Sequence, residues 1–155
     1  GWAYSLGMGV RVDDDRARLL TRFTDDLSSV LFATESFWQG GDAPGATLRL
    51  LVICRLPFRV PNEPVVAARM EAIEAAGGNA FAELSLPDAV MRFSQGFGRL
   101  IRTSNDYGVV LVPDVRLIAK PYGRSFLSSL PDTRRAIGPT TAVIETIEQF
   151  LYESR

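Results

Sequence analysis

The sequence contains no histidine and a single cysteine, Cys54. One cysteine cannot form a disulfide within the chain, and without histidine no ordinary set of zinc or iron–sulfur ligands can be assembled. Cys54 lies in the apolar segment LRLLVICRL, where we expect a buried core thiol rather than a nucleophile, since no histidine can act as its base. Acid–base chemistry would therefore depend on carboxylates, on arginines or on groups from another chain.

An excess of one charge and long hydrophobic runs are also lacking. The 155 residues carry 17 basic and 18 acidic side chains, so the net charge of −1 gives no overall attraction to nucleic acid. No apolar run approaches the roughly 18 residues of a membrane-spanning helix, and no signal-peptide pattern opens the chain. These features predict a single cytoplasmic domain in which any contact with DNA comes from a local patch.

Two common phosphate-binding motifs are absent as well. No G-x-x-x-x-G-K-[ST] segment occurs, and GGDAPG differs from the dinucleotide-binding pattern because Asp42 stands where its second glycine would be. The chain by itself therefore lacks the usual means of holding a nucleoside triphosphate.

Apolar periodicity predicts alternating helices and strands from residue 13 onward. The predicted helices cover residues 13–26, 64–76, 87–103, 122–130 and 140–152, and the predicted strands cover 29–34, 47–56 and 107–113. The nearly unbroken apolar run 47–56 favours a strand buried on both faces. The alternation predicts an α/β fold with a mainly parallel sheet and helices on both faces, whereas residues 1–12 show no period and stay unassigned.

Residues 95–102, QGFGRLIR, form the last part of the predicted helix 87–103. The apolar positions of this helix recur every three or four residues, at Phe93, Phe97 and Leu100. The same spacing recurs two residues later, about 200° around the helix, at Gln95, Arg99 and Arg102. We therefore expect two arginines and one amide to lie side by side and to face away from the core.

Two glycines, Gly96 and Gly98, interrupt the same helix. Each costs about 1 kcal/mol relative to alanine, so we expect another group to approach the backbone there. Taken alone, the pattern favours a solvated helix face with two tolerated glycines. The surrounding chain is needed to decide between these interpretations.

Polar groups also follow two of the predicted strands. The loop 34–45 follows the first predicted strand, and Asp114 and Arg116 follow the third. In open parallel sheets, ligands bind beyond the carboxyl ends of the strands. Both groups are therefore candidate components of a site.

Several segments together resemble one known family. In chain order they are SVLFATESFWQGGDAPG, LLVICRLPF, PDAVMRFSQGFGRLIR, YGVVLVPDVRL and YGRSFLSSLP. They resemble the second motor domain of DinG-type helicases, which are superfamily 2 ATP-dependent DNA helicases related to XPD. The resemblance implies that residues 13–155 form a RecA-like helicase C-terminal domain, a three-layer sandwich of the P-loop NTPase type without a Walker A motif of its own, preceded by a remnant over residues 1–12.

The resemblance also implies roles for individual residues. TESFWQGGDAPG resembles helicase motif V, which implies that Gly40 and Asp42 contribute to nucleotide binding. QGFGRLIR resembles motif VI, whose glutamine and arginines face a nucleotide bound on the first motor domain. Gln95, Arg99 and Arg102 would then be both nucleotide-binding and catalytic. Arg102 matches the usual arginine finger, which neutralises charge on the γ-phosphate during phosphoryl transfer.

The same resemblance implies the ligands and partners. ATP and Mg²⁺ would be bound mainly by a first RecA-like motor domain of the same helicase, with no metal ligand from this chain. Single-stranded DNA would lie across both domains, and its phosphates would contact Thr34, Ser36 and Thr103 here.

Two other functions stay open from the residues themselves. A RecA-like domain could serve as a non-enzymatic module that binds nucleic acid or protein. A small α/β hydrolase or transferase could use Asp42 and Asp114, although the sequence shows no nucleophile–base pair.

Overall fold

The computed structural model describes residues 4–6, 16–26, 30–32, 48–60, 63–100 and 107–153. Its strands are β1 (Tyr4–Leu6), β2 (Val30–Phe32), β3 (Leu50–Val52) and β4 (Val109–Leu111). Its α-helices are α1 (Arg16–Asp25), α2 (Pro64–Ala75), α3 (Leu86–Leu100), α4 (Arg116–Ala119), α5 (Gly123–Ser128) and α6 (Thr140–Glu153). A π-helical turn, Phe81–Ser85, leads directly into α3.

Helix α3 is the central element of the described fold. It contacts β3, β4, α5 and the π-helical turn. The buried core combines side chains from α3, from α5 and from the segment after β3, namely Ile53, Leu56, Ala89, Phe93 and Phe126. The rings of Phe93 and Phe126 meet edge to face, with their centroids 5.4 Å apart. These contacts fix the rotation of α3 and therefore the direction of its outward face.

Strands β3 and β4 pair in parallel, with Leu51 opposite Val110. Parallel neighbours need a crossover, and here the crossover contains α2 and α3. The α/β class with a parallel strand pair is therefore confirmed. A second pair was not predicted: β2 pairs antiparallel with β1, which lies in the segment that showed no period.

The prediction that the run 47–56 is buried on both faces is wrong. Leu50 and Val52 are 38% and 45% exposed, whereas Leu51 packs against the core and Ile53 is buried. Side chains alternate between the faces of a strand, and α3 contacts β3 on the side where Leu51 packs against the core. Cys54 falls on the same side as Leu50 and Val52 and is exposed, so the prediction of a buried thiol is also wrong.

The described parts of the predicted helices are confirmed to within a few residues. Helix α2 begins at Pro64, where a missing N–H is tolerated, and Gly77 follows it at a φ of 81°. The predicted extension of α3 to residue 103 lies outside the described residues. Helix α4 was missed, because four residues are too few to show a period.

Within the described ranges, no helix has the length and apolarity needed to cross a membrane.

Candidate functional site

The outward face of α3 carries the predicted polar stripe. Gln95 is exposed and Arg99 is half-buried. On the opposite side, Phe93, Phe97 and Leu100 are 1%, 9% and 3% exposed. The buried apolar face is therefore confirmed, and the outward direction of the polar stripe is confirmed at Gln95, whereas Arg99 is only partly exposed and Arg92, seven residues before it on the same side, is 7% exposed. Because the apolar face is held in the core, the polar face has a fixed direction toward any group that approaches from outside.

The remaining candidate residues lie outside the part of the chain that the structure describes. They are the motif VI arginine Arg102, the motif V residues Gly40 and Asp42, and the DNA-binding candidates Thr34, Ser36 and Thr103. Their roles stay predictions. The structure places Gln95 and Arg99 together on one helix.

A chain of ion pairs holds α3 against the segment that precedes α2. Arg92 of α3 is only 7% exposed, and its Nε lies 2.9 Å from Oδ2 of Asp88. The same oxygen lies 3.1 Å from Nε of Arg59, whose Nη1 lies 3.1 Å from Oε2 of Glu63. Burial lowers the pKa of the Arg92 guanidinium. Sequence reasoning missed Arg92, although its spacing of four residues from Asp88 is a signal for a helical ion pair.

Asp114 joins the segments that follow the two parallel strands. Its side chain is 6% exposed, and Oδ2 accepts a hydrogen bond from the backbone N–H of Leu56 at 2.9 Å. Arg116 donates to the same carboxylate from its backbone N–H at 3.0 Å and from Nη2 at 2.7 Å. These hydrogen bonds, first of all those from the Arg116 side chain, hold the pKa of Asp114 well below its usual range.

This geometry gives Asp114 a structural role. A carboxylate that is already paired and strongly stabilised as an anion is a poor general base at neutral pH. The structure therefore gives no support to a hydrolase that uses Asp114. Its bond to Leu56 spans 58 residues, a distance at which no sequence spacing reveals a contact.

Comparison with known proteins identifies the family. Residues 7–133 match the helicase C-terminal domain. The chain belongs to this family. It is 42% identical over 146 residues, or 94% of its length, to the ATP-dependent DNA helicase YoaA of Haemophilus influenzae. It is also 43% identical over 119 residues, or 77% of its length, to the ATP-dependent helicase DinG of Mycobacterium tuberculosis.

A third relative of this helicase C-terminal domain carries a different name. The chain is 42% identical over 116 residues, or 75% of its length, to the 3'-5' exonuclease DinG of Bacillus subtilis. The chain spans only 22%, 18% and 12% of the length of these three relatives. The match confirms the resemblance to the C-terminal domain of DinG-type helicases, whereas the relatives' names describe much longer proteins.

The glycines of α3 differ in their surroundings in this helicase C-terminal domain. Gly96 is buried and Gly98 is exposed. A Cβ added to Gly98 would meet no heavy atom within 4 Å among the described residues. Packing within this part of the domain therefore does not require glycine at position 98. The expectation that another group approaches this backbone stays a prediction.

Gly98→Ala should raise the free energy of unfolding by about 0.5–1 kcal/mol, because alanine is the better helix former. Chemical denaturation of the domain measures this effect.

Gly138→Ala is the matched control, since Gly138 also has open space around its Cα but lies outside any helix. It should change the free energy of unfolding by much less. A Gly98→Ala domain that is no more stable than the wild type would contradict the conclusion that packing leaves room for a side chain at position 98.

Proposed function

We propose that this domain is the second motor domain of an ATP-dependent DNA helicase and completes an ATPase site at the interface with a first motor domain. The observation that carries the proposal is the outward face of α3, where Gln95 and Arg99 lie on a helix anchored by Phe93 and Phe97. Relatives named ATP-dependent DNA helicases support the same function.

The chemistry requires donors that face outward from a rigid element. Negative charge develops on the γ-phosphate oxygens during phosphoryl transfer, and a guanidinium supplied across an interface neutralises it. In the sequence, Arg102 follows Arg99 by three residues, the spacing of neighbours on one helix face. We assign Arg102 as the arginine finger, and Gln95 and Arg99 as donors to the same nucleotide.

The donor set of this domain suits phosphate oxygens better than a metal ion. Gln95 and Arg99 offer N–H groups, whereas Mg²⁺ prefers carboxylate and other oxygen ligands. Among the described residues, no cluster of three or more acidic, cysteine or histidine side chains could hold a metal. As the family resemblance implies, we propose that ATP and Mg²⁺ are held mainly by the first motor domain, with this domain completing the site.

The second part of the proposal concerns the coupling of this site to DNA. The family resemblance assigns Gly40 and Asp42 to motif V, beside the nucleotide. Thr34, Ser36 and Thr103 supply hydroxyl groups that can donate to phosphate oxygens of single-stranded DNA. Phosphate contacts of this kind position a strand without reading its sequence, as a translocating motor requires.

We expect the isolated chain to hydrolyse no measurable ATP, even with saturating single-stranded DNA. The reason is that it lacks the P-loop amides and lysine that hold a triphosphate. The intact protein should hydrolyse ATP under the same conditions. The measurement is steady-state phosphate release across the gel-filtration peak of each purified protein, so that contaminating activity is separated from the chain.

Turnover that follows the isolated chain through purification would contradict the proposal. If the intact protein bound DNA but hydrolysed no ATP, the chain would instead belong to a binding module. Weak nucleotide binding by the isolated chain is compatible with the proposal, because Gln95 and Arg99 can contact phosphates without catalysing their transfer.

A further inference from the structure

The last residue of α3 packs against the beginning of the β3–β4 pair. Leu50 pairs with Val109 in the register of these strands, and the N–H of Val109 donates to the backbone oxygen of Arg49 at 2.9 Å. Leu100, which ends α3, is only 3% exposed. A Cβ added to Gly108 would lie 2.7 Å from Cδ1 of Leu100 and 2.8 Å from the Arg49 oxygen. The absence of a side chain at position 108 therefore lets α3 end directly on the start of the strand pair.

One side-chain pair bridges the two strands at the same end. Nη1 of Arg49 donates a hydrogen bond to the hydroxyl of Tyr107, and the guanidinium carbon of Arg49 lies 4.3 Å from the centroid of the Tyr107 ring. Both side chains are half-buried. The guanidinium thus contacts both the hydroxyl and the ring of one tyrosine, which restricts the two side chains to one relative orientation. The pair ties the residue before β3 to the segment that leads into β4.

These contacts lie where the position of Arg99 is decided. The core around Phe93 holds the middle of α3, about 9 Å along the helix from Arg99. A small tilt of the last turn would move the Arg99 guanidinium while leaving that core unchanged. Arg99 is covalently joined to Leu100, and Leu100 is held by the start of the strand pair. The direction of Arg99 therefore depends on the contacts at Gly108, Arg49 and Tyr107.

The Arg49–Tyr107 pair is better suited to positioning than to stabilising the fold. Partly exposed polar pairs contribute little to stability, because water competes for both partners and ordering long side chains costs entropy. Catalysis is more sensitive to geometry, since a misplacement of about 1 Å can lower a rate about 10²-fold. Loss of the pair should therefore affect turnover more than the melting temperature.

We infer that Tyr107 and Arg49 are positioning residues of the ATPase site, which hold the last turn of α3 so that Arg99 meets the nucleotide in the geometry required for phosphoryl transfer. The inference rests on the proposed function, which assigns Arg99 to the nucleotide. Tyr107 and Arg49 act through Arg99 and make no contact of their own with the reacting phosphate.

Tyr107→Phe in the intact enzyme removes the hydroxyl and keeps the ring. It should lower kcat for ATP hydrolysis about 10-fold and change the KM for ATP less than about 2-fold, because the first motor domain holds most of the nucleotide. Tyr152→Phe is the matched control, since Tyr152 is 77% exposed on α6 and should leave kcat unchanged.

Two changes of Arg49 test the same pair from its other side. Arg49→Gln removes the cation and should lower kcat at least as much as Tyr107→Phe. Arg49→Lys keeps a cation that can donate to the Tyr107 hydroxyl, so it should retain more activity than Arg49→Gln. Equal activity of Arg49→Lys and Arg49→Gln would contradict a role of the bond to Tyr107.

A double-mutant cycle with Arg99→Ala separates positioning from a structural role. If Tyr107 acts through Arg99, Tyr107→Phe should lower kcat about 10-fold in the wild-type background but less than about 2-fold in the Arg99→Ala enzyme. A folding defect would lower kcat by the same factor in both backgrounds, because it removes active enzyme whether or not Arg99 is present.

The affinity for ADP with aluminium fluoride, which resembles the transition state, is a second measurement that the fraction of folded enzyme does not change. Tyr107→Phe should weaken binding of this complex about 10-fold and leave the affinity for ADP alone unchanged. Equal affinities of Tyr107→Phe and the wild type for the complex would count against positioning.

The inference and the proposed function fail in different ways. Equal losses of kcat in the two backgrounds, full activity of Tyr107→Phe and Arg49→Gln, or failure of both variants to fold would overturn the inference. An impaired Arg99→Ala enzyme would still support the proposed function in each of these cases. Normal activity of the Arg99→Ala single variant would contradict the role of Arg99 in the proposed function and, with it, the inference.

Discussion

Arg102→Ala in the intact enzyme should lower kcat for ATP hydrolysis by about 10³-fold or more and leave the binding of ATP and DNA nearly unchanged. The guanidinium contact strengthens as charge develops on the γ-phosphate, so its loss affects the transition state more than the bound substrate. The measurement is steady-state hydrolysis with saturating single-stranded DNA, together with separate titrations of nucleotide and DNA.

Arg102→Lys should stay strongly impaired, because lysine keeps the charge but loses the planar fork that can contact two phosphate oxygens. Neither change should alter the melting temperature much, since the sequence spacing predicts that position 102 lies on the polar side of the helix and adds nothing to the core. Arg134→Ala, an exposed arginine outside the helices, is the control. Near-normal kcat for Arg102→Ala, or loss of the fold, would show that this arginine is structural.

Asp114→Ala should lower the free energy of unfolding by about 3 kcal/mol. The change removes the acceptor that joins the backbone of Leu56 to the end of β4 and leaves Arg116 without its carboxylate. Urea denaturation measures the effect. Asp132→Ala is the control, because Asp132 is exposed and should cost little. Equal stability of the two variants would contradict the structural role of Asp114.

The stability supplied by Asp114 should depend on pH in one direction. Because its pKa is lowered in the folded domain, the contribution is fully present above the unfolded value of about 3.9. It is lost as the pH falls below that value through the folded pKa. The unfolding free energies of the wild type and Asp114→Asn should therefore converge in acid and differ most near neutral pH.

The sequence predicts α3 well because its periodicity and its chemistry agree. Phe93 and Phe97 recur at helical spacing, and the core buries them, so the orientation of Gln95 and Arg99 follows from the pattern. The family resemblance adds a proposal that periodicity cannot give, namely that an arginine of this helix contacts a nucleotide.

Other features depend on contacts that no local pattern reveals. Cys54 lies in an apolar run that suggests burial, but its exposure is set by which face of β3 is covered by α3. The role of Asp114 likewise depends on Leu56, 58 residues away. Sequence spacing describes neighbours on one element, whereas these features arise between elements.

The most direct measurement of the central claim is the affinity of the intact enzyme for ADP with aluminium fluoride, a mimic of the transferring phosphoryl group. If Arg102 is the arginine finger, Arg102→Ala should weaken binding of this complex by about 10²-fold or more and leave the affinity for ADP alone unchanged. Equal affinities of the wild type and Arg102→Ala for the aluminium fluoride complex would contradict the claim that this domain completes the ATPase site.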